Sequence, residues 1–110
     1  VITLGVIIEM RYYQCVIKTF ADKETEKLFK RQFSKKLPQT IQRSARMKLE
    51  ILDAAKVLND LTIPPGNRLE KLTGSREGQH SIRNKVQWRI CFIWRIDDAS
   101  KVEIVDYHKG

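Results

Sequence analysis

Val86-Gln-Trp-Arg-Ile-Cys-Phe-Ile-Trp-Arg95 is the stretch on which the fold turns. Trp88, Ile90, Phe92 and Trp94 fall on one side of it, and Gln87, Arg89, Cys91 and Ile93 on the other. That is the period of two that a pleated strand imposes on its side chains. Turn-forming residues bound the segment: Asn84-Lys85 makes a tight connection before it, and Asp97-Asp98-Ala99-Ser100 a turn after it. The same period continues outward. Residues 79–83 read as a preceding strand and residues 101–107 as the last one. Residues 68–72 read as a short strand, joined through a Gly74-Ser-Arg-Glu-Gly78 turn. Strands joined by such short turns pair antiparallel.

Before Pro64-Pro65-Gly66 the period is different. Residues 15–20, Cys-Val-Ile-Lys-Thr-Phe, are β-branched and aromatic enough for one strand. Asp22 then suits a helix N-cap, with Glu24 and Glu26 in the favourable first turn and Leu28, Phe29 and Phe33 as an apolar stripe over residues 25–33. Residues 34–37 break this helix. Pro38 fits the first turn of a second one, along which Ile41, Ala45, Leu49, Leu52, Ala55 and Leu58 recur every three or four positions. The order β-α-α-β-β-β-β predicts an α+β domain. In it an N-terminal strand and two helices pack on one face of a mainly antiparallel four- to five-stranded sheet, and the opposite face is left to bear a site.

A chain of 110 residues, 42% of them hydrophobic, has room for one domain with one modest core. Its 21 Lys and Arg against 13 Asp and Glu leave a net charge of +8, which favours encounters with polyanions. Residues 27–48 hold eight basic residues and no acidic one, either a solvated helix face or a grip on an anionic partner. Cys15 and Cys91 make no disulfide framework and, with only His80 and His108 to add, no zinc site; they read as buried thiols in a reduced compartment. No apolar stretch is long enough to span a membrane. The apolar opening Val1-Ile-Thr-Leu-Gly-Val-Ile-Ile8 lacks the basic flank and cleavage site of a signal peptide. Residues 1–15 therefore read as an extension or extra edge strand before a domain at residues 16–110, and the protein is expected in the cytoplasm.

Few residues offer chemistry. There is no phosphate-cradling glycine loop and no nucleophile elbow. His80 is either a structural imidazole at a sheet edge or a ligand-facing group, and His108 either a frayed tail or a working acid–base group after Asp106-Tyr107. Arg89, in the middle of the most apolar strand, either snorkels out of the sheet or holds a phosphate from a pocket floor.

Three segments narrow these alternatives. Asn67-Arg-Leu-Glu-Lys-Leu-Thr-Gly-Ser-Arg-Glu-Gly-Gln-His-Ser-Ile-Arg83, then Gln87-Trp-Arg-Ile-Cys-Phe92, then Val105-Asp-Tyr-His108 together resemble the HigB-type growth-inhibition toxins of the RelE/ParE superfamily. The likeness runs in order from Val16-Ile-Lys-Thr-Phe20 to the terminal Asp-Tyr-His. It implies a ribosome-dependent mRNA endoribonuclease that needs no metal or other cofactor. It also implies a helix-turn-helix, HigA-like antitoxin as partner, with operator DNA reached only through that antitoxin. In such chemistry a base helps the ribose 2′-OH attack the adjacent phosphate, a cation stabilises the developing charge, and an acid protonates the leaving 5′-oxygen. The resemblance assigns the cation to Arg89, the acid–base histidine to His108 and the positioning pair to Tyr107 and Asp106. The basic run at residues 27–48 then grips ribosomal RNA.

The sequence also departs from the family pattern. Well-known members carry Leu-His-Pro-Leu-Lys-Gly where this chain has Leu69-Glu-Lys-Leu-Thr-Gly74, so Glu70 and Thr73 stand in place of an active-site His and Lys. Glu70 is then the candidate base, and Arg68, Lys71, Arg76 and His80 the candidate substrate contacts. Two other outcomes stay open at this point: a ParE-like gyrase inhibitor without catalysis, and a decayed RNA- or partner-binding module.

Overall fold

The computed structural model describes residues 16–107; the expected extension at residues 1–15, with Cys15, and the candidate acid His108 lie outside the described residues. Two helices, α1 (Lys23–Phe29) and α2 (Gln39–Ala54), precede four strands: β1 (Glu70–Lys71), β2 (His80–Asn84), β3 (Trp88–Arg95) and β4 (Asp98–Asp106). The strands form one sheet in the order β1-β2-β3-β4, and every neighbouring pair is antiparallel.

The local causes are visible. The Thr25 N–H donates to the Asp22 carboxylate at 2.7 Å, so the expected cap starts α1. The helix stops at Phe29 rather than Phe33, because Arg31 takes a left-handed conformation (φ 66°). Phe33 is consequently 62% exposed instead of belonging to the stripe. α2 ends at Ala54, and the stripe beyond it is completed by a tighter 3₁₀ turn, Leu58–Thr62, which buries Leu61.

Residues 16–20, expected to form a strand, make two isolated parallel bridges to β4 instead, Ile17 with Ala99 and Phe20 with Val102. The reason lies in β4. An extra residue there, Lys101 at φ 52°, breaks the register between Cys91 and Ile93, and its N–H is taken by the Thr19 hydroxyl at 2.8 Å. The segment is held instead from the helix side, where the Val16 and Ile17 N–H groups both donate to Asp53 at 2.9 Å.

The other strand ends also differ from expectation. β1 shrinks to two residues because Arg68 is left-handed (φ 45°), and β3 starts late because Lys85 is too (φ 65°). The turn expected at residues 97–100 closes earlier, over Ile96 at φ 57°, so Asp98, Ala99 and Ser100 lie in β4.

Cross-strand partners share a face of the sheet. Ile82, Ile90 and Ile104 meet on one face; with Phe92, Ala99 and Val102 they pack against Ile41, Ala45, Leu49 and Leu52 of α2. The other face carries Ser81 with Cys91 and Glu103, and Arg83 with Arg89 and Val105. Neither α1 nor α2 covers it, yet Ser81, Arg89 and Cys91 are buried there.

Candidate active site

Arg89 organises the helix-free face. Its side chain does not snorkel into solvent: it is 11% exposed and held from several directions. Nε donates to the Ser81 hydroxyl at 2.6 Å, and Nη2 donates to the Arg68 carbonyl at 2.6 Å and to the Ser81 carbonyl at 3.4 Å. Nη2 also lies 3.2 Å from the Glu70 carboxylate. These contacts engage Nε and Nη2 and fix the guanidinium in one orientation, so that its charge faces a defined direction.

The Arg68 carbonyl reaches Arg89 because the preceding loop is pinned. Asn67 is fully buried, donates from Nδ2 to the Leu61 carbonyl at 3.1 Å and the Ile63 carbonyl at 3.3 Å, and accepts a hydrogen bond from Lys48 Nζ. Next to it, Arg68 adopts the left-handed conformation that L-residues other than Asn and Asp seldom take, and this conformation accompanies the turn of its carbonyl toward the sheet.

Opposite Glu70, on the β4 side of Arg89, stands Tyr107. The guanidinium carbon lies 5.9 Å from the Tyr107 ring centroid, within cation–π range. The Tyr107 hydroxyl lies 3.8 Å from Cys91 Sγ. Burial, together with the Cys91 contact, raises the pKa of Tyr107, so its phenol stays protonated at neutral pH and acts as a donor rather than a base. Burial raises Cys91 as well, keeping it a packed thiol rather than a nucleophile. Arg76 completes the rim, bound to Glu103 at 3.3 Å and to Gln79 at 3.0 Å, with its charge felt at both Tyr107 and Cys91.

Of the residues predicted from sequence, the structure thus gathers Arg89, Glu70, Arg68, Arg76 and Tyr107 on one face. It places three others elsewhere. His80 pairs with Phe92 on the helix side, where the rings stack at a centroid distance of 6.2 Å. Burial and the charge of Lys71 lower its pKa, and its Nδ1 has no hydrogen-bond partner among the described residues. Lys71 pairs with His80 and so shares that side. Asp106 pairs with Trp88, one position and one face away from Tyr107.

Sequence reading missed Ser81, although the register of the β2–β3 hairpin could have found it: a serine two residues from Arg83 must share the face of Arg89. The basic run at residues 27–48 divides. Lys27, Lys30 and Arg31 pair with Glu24, Glu26 and Glu50, the reading of a solvated face, while Lys35, Arg43 and Arg46 have no carboxylate partner among the described residues.

A four-stranded antiparallel sheet with two helices packed on one face is an α+β fold consistent with the RelE-like toxin class. The family profile described as "RelE-like toxin of type II toxin-antitoxin system HigB" matches residues 18–108. Toxin HigB-1 of Vibrio cholerae serotype O1 (strain ATCC 39315 / El Tor Inaba N16961) is 42% identical over 91 residues, 82% of this chain and 95% of that relative. The chain therefore belongs to the HigB family of RelE-like toxins of type II toxin–antitoxin systems, and its partner is a cognate antitoxin. Among the described residues no helix is long and apolar enough to cross a membrane.

Proposed function

We propose that this toxin is a ribosome-dependent mRNA endoribonuclease of the cytoplasm, formed by residues 16–110 and restrained by a helix-turn-helix, HigA-like antitoxin that also binds the operator DNA. The observation that carries the reading is the buried Arg89 guanidinium fixed between Glu70 and Tyr107 on the face that neither helix covers.

The arrangement suits transesterification by organic groups alone. Glu70, more than half exposed beside Arg89, takes the proton of the ribose 2′-OH as that oxygen attacks phosphorus. Arg89 stabilises the negative charge that grows on the phosphoryl oxygens; because its fork is already oriented, little reorganisation is needed when the charge appears. His108 protonates the departing 5′-oxygen, leaving a 2′,3′-cyclic phosphate and a free 5′-hydroxyl. Asp106, two residues before His108, positions it. Tyr107 donates a hydrogen bond or stacks on a base, a contact worth about 1–3 kcal/mol where it forms. The replacement of the family His and Lys by Glu70 and Thr73 moves the base onto a carboxylate that contacts the phosphate-binding arginine directly.

The test is to map mRNA 5′ ends after induction in cells lacking the antitoxin, for wild type and Arg89→Lys. New in-frame cuts in translated messages, absent in the variant that keeps the charge but loses the fork, are the expected result. Growth arrest with intact messages would refute the enzyme reading.

A further inference from the structure

Beside Arg89, toward the β2–β3 hairpin, lies a second basic recess. It is a cleft of about 410 Å³ lined by Lys48, Gly66, Arg68, Arg83, Lys85 and Val86. We propose that this cleft binds a second backbone phosphate of the same RNA strand, next to the phosphate at Arg89. The inference rests on RNA being the substrate, as proposed above.

Charge is the first argument. Four of the lining residues are cationic and none is acidic. Lys48 donates to the neutral Asn67 amide and Arg83 Nε to the Lys85 carbonyl at 3.1 Å, so neither of these bonds cancels a charge with a carboxylate. Among the described residues the ion pairs involve Lys27, Lys30, Arg31, Arg76 and Arg89 instead, and none of the four cleft cations has a carboxylate partner there. A recess with this concentration of one sign focuses field on an anion.

Geometry is the second. Arg68 lines the cleft with its side chain and gives its carbonyl to Arg89, so one residue is shared by both sites. Arg83 is the cross-strand partner of Arg89 on the same face, and partners of this kind stand about 5 Å apart at Cα. Two of the four cleft cations are also held in place before a ligand arrives. Lys48 is tied to the buried Asn67, and Arg83 to the hairpin backbone, so less side-chain entropy is lost on binding. Burial lowers the pKa of Lys48, in keeping with a partly desolvated ammonium awaiting a counter-charge. Its role in this proposal is to set the path of the strand.

The test uses the purified toxin and two fluorescent ligands blocked against cleavage by 2′-O-methylation: a hexanucleotide and a dinucleotide with a single phosphate. In the double variant Arg83→Gln/Lys85→Gln, affinity for the hexanucleotide should fall several-fold. The slope of log affinity against log salt should fall by about 0.7 for each phosphate that the protein no longer neutralises. Dinucleotide binding should stay unchanged, and Arg83→Lys/Lys85→Arg, which keeps both charges, should restore the slope. Unchanged hexanucleotide binding would overturn the proposal, as would an equal weakening for both ligands. Normal hexanucleotide binding with weakened ribosome binding would assign the cleft to ribosomal RNA and overturn it too. If 5′-end mapping finds no cuts while the slope difference persists, the enzyme reading falls and the phosphate cleft stands.

Discussion

Replacing Ser81 by alanine deletes one oxygen atom, and the structure says where the cost appears. The Ser81 hydroxyl is fully buried and accepts from Arg89 Nε at 2.6 Å. A hydrogen bond to a charged group contributes about 1.5–3 kcal/mol, and leaving a buried donor without a partner forfeits most of that. Arg89 keeps its bonds to the Arg68 carbonyl and Glu70, so the loss should fall near the middle of the range, about 2 kcal/mol. For a domain of this size each kcal/mol shifts the melting temperature by about 4–8 °C, giving an expected drop of roughly 8–16 °C. Thermal denaturation of the antitoxin-free toxin measures it. Growth inhibition should weaken as well at permissive temperature, because the guanidinium keeps its charge but loses its orientation, and Ser81→Thr should recover both. A melting temperature within a degree of wild type would refute the claim that the hydroxyl anchors Arg89. A stable Ser81→Ala protein with full toxicity would show that anchoring Arg89 is irrelevant to its work.

Three further outcomes are expected. Glu70→Gln should change stability by only about 1 kcal/mol, since the carboxylate of the pair is 58% exposed, while cleavage slows by about 100-fold or more; cleavage at the wild-type rate would remove Glu70 as the base. The folded-state pKa of His80 lies below its ordinary value of 6.5, so its contribution is fully present above that value and is lost as pH falls through the lower folded value. Denaturant titrations at about pH 7 and about pH 5 should therefore show a smaller acid loss in His80→Phe than in wild type. Asp53→Ala removes the acceptor of the Val16 and Ile17 N–H groups and should cost about 1–3 kcal/mol by chemical denaturation, with faster amide exchange at both positions.

The parts of this fold that were legible in the sequence are those where one physical signal acts alone. The alternation of Trp88, Ile90 and Phe92 set the core face of β3, and the spacing of Ile41, Ala45, Leu49 and Leu52 set that of α2, because burial period follows directly from backbone geometry. Boundaries fared worse where a left-handed residue without glycine intervened: Arg31, Arg68, Lys85, Ile96 and Lys101 each end, delay or distort an element, and nothing in their side chains announces it. The site divided along the same line. Arg89 was conspicuous as a charge in an apolar strand, and the family likeness led to Glu70 and Tyr107. The Arg68 carbonyl was invisible, since a backbone group is recruited by the shape of the Pro64–Asn67 loop and not by residue type. For His80 the sequence left two readings open, because an imidazole stacked on Phe92 has the same letter as one facing a substrate; the stacking matches the structural one.

In β3 Ile90 and Phe92 build the interior and Arg89 and Cys91 between and beside them build the site, so a single short segment answers to two independent sets of constraints. A change at Ile90 or Phe92 is judged by α2, and a change at Arg89 or Cys91 by Glu70, Ser81 and Tyr107. The groups that hold Arg89 come from the sheet and the loop before it, and from neither helix. A lineage can accordingly rewrite the outer surfaces of α1 and α2, and with them whatever those surfaces meet, while the arginine and its neighbours are inherited unaltered.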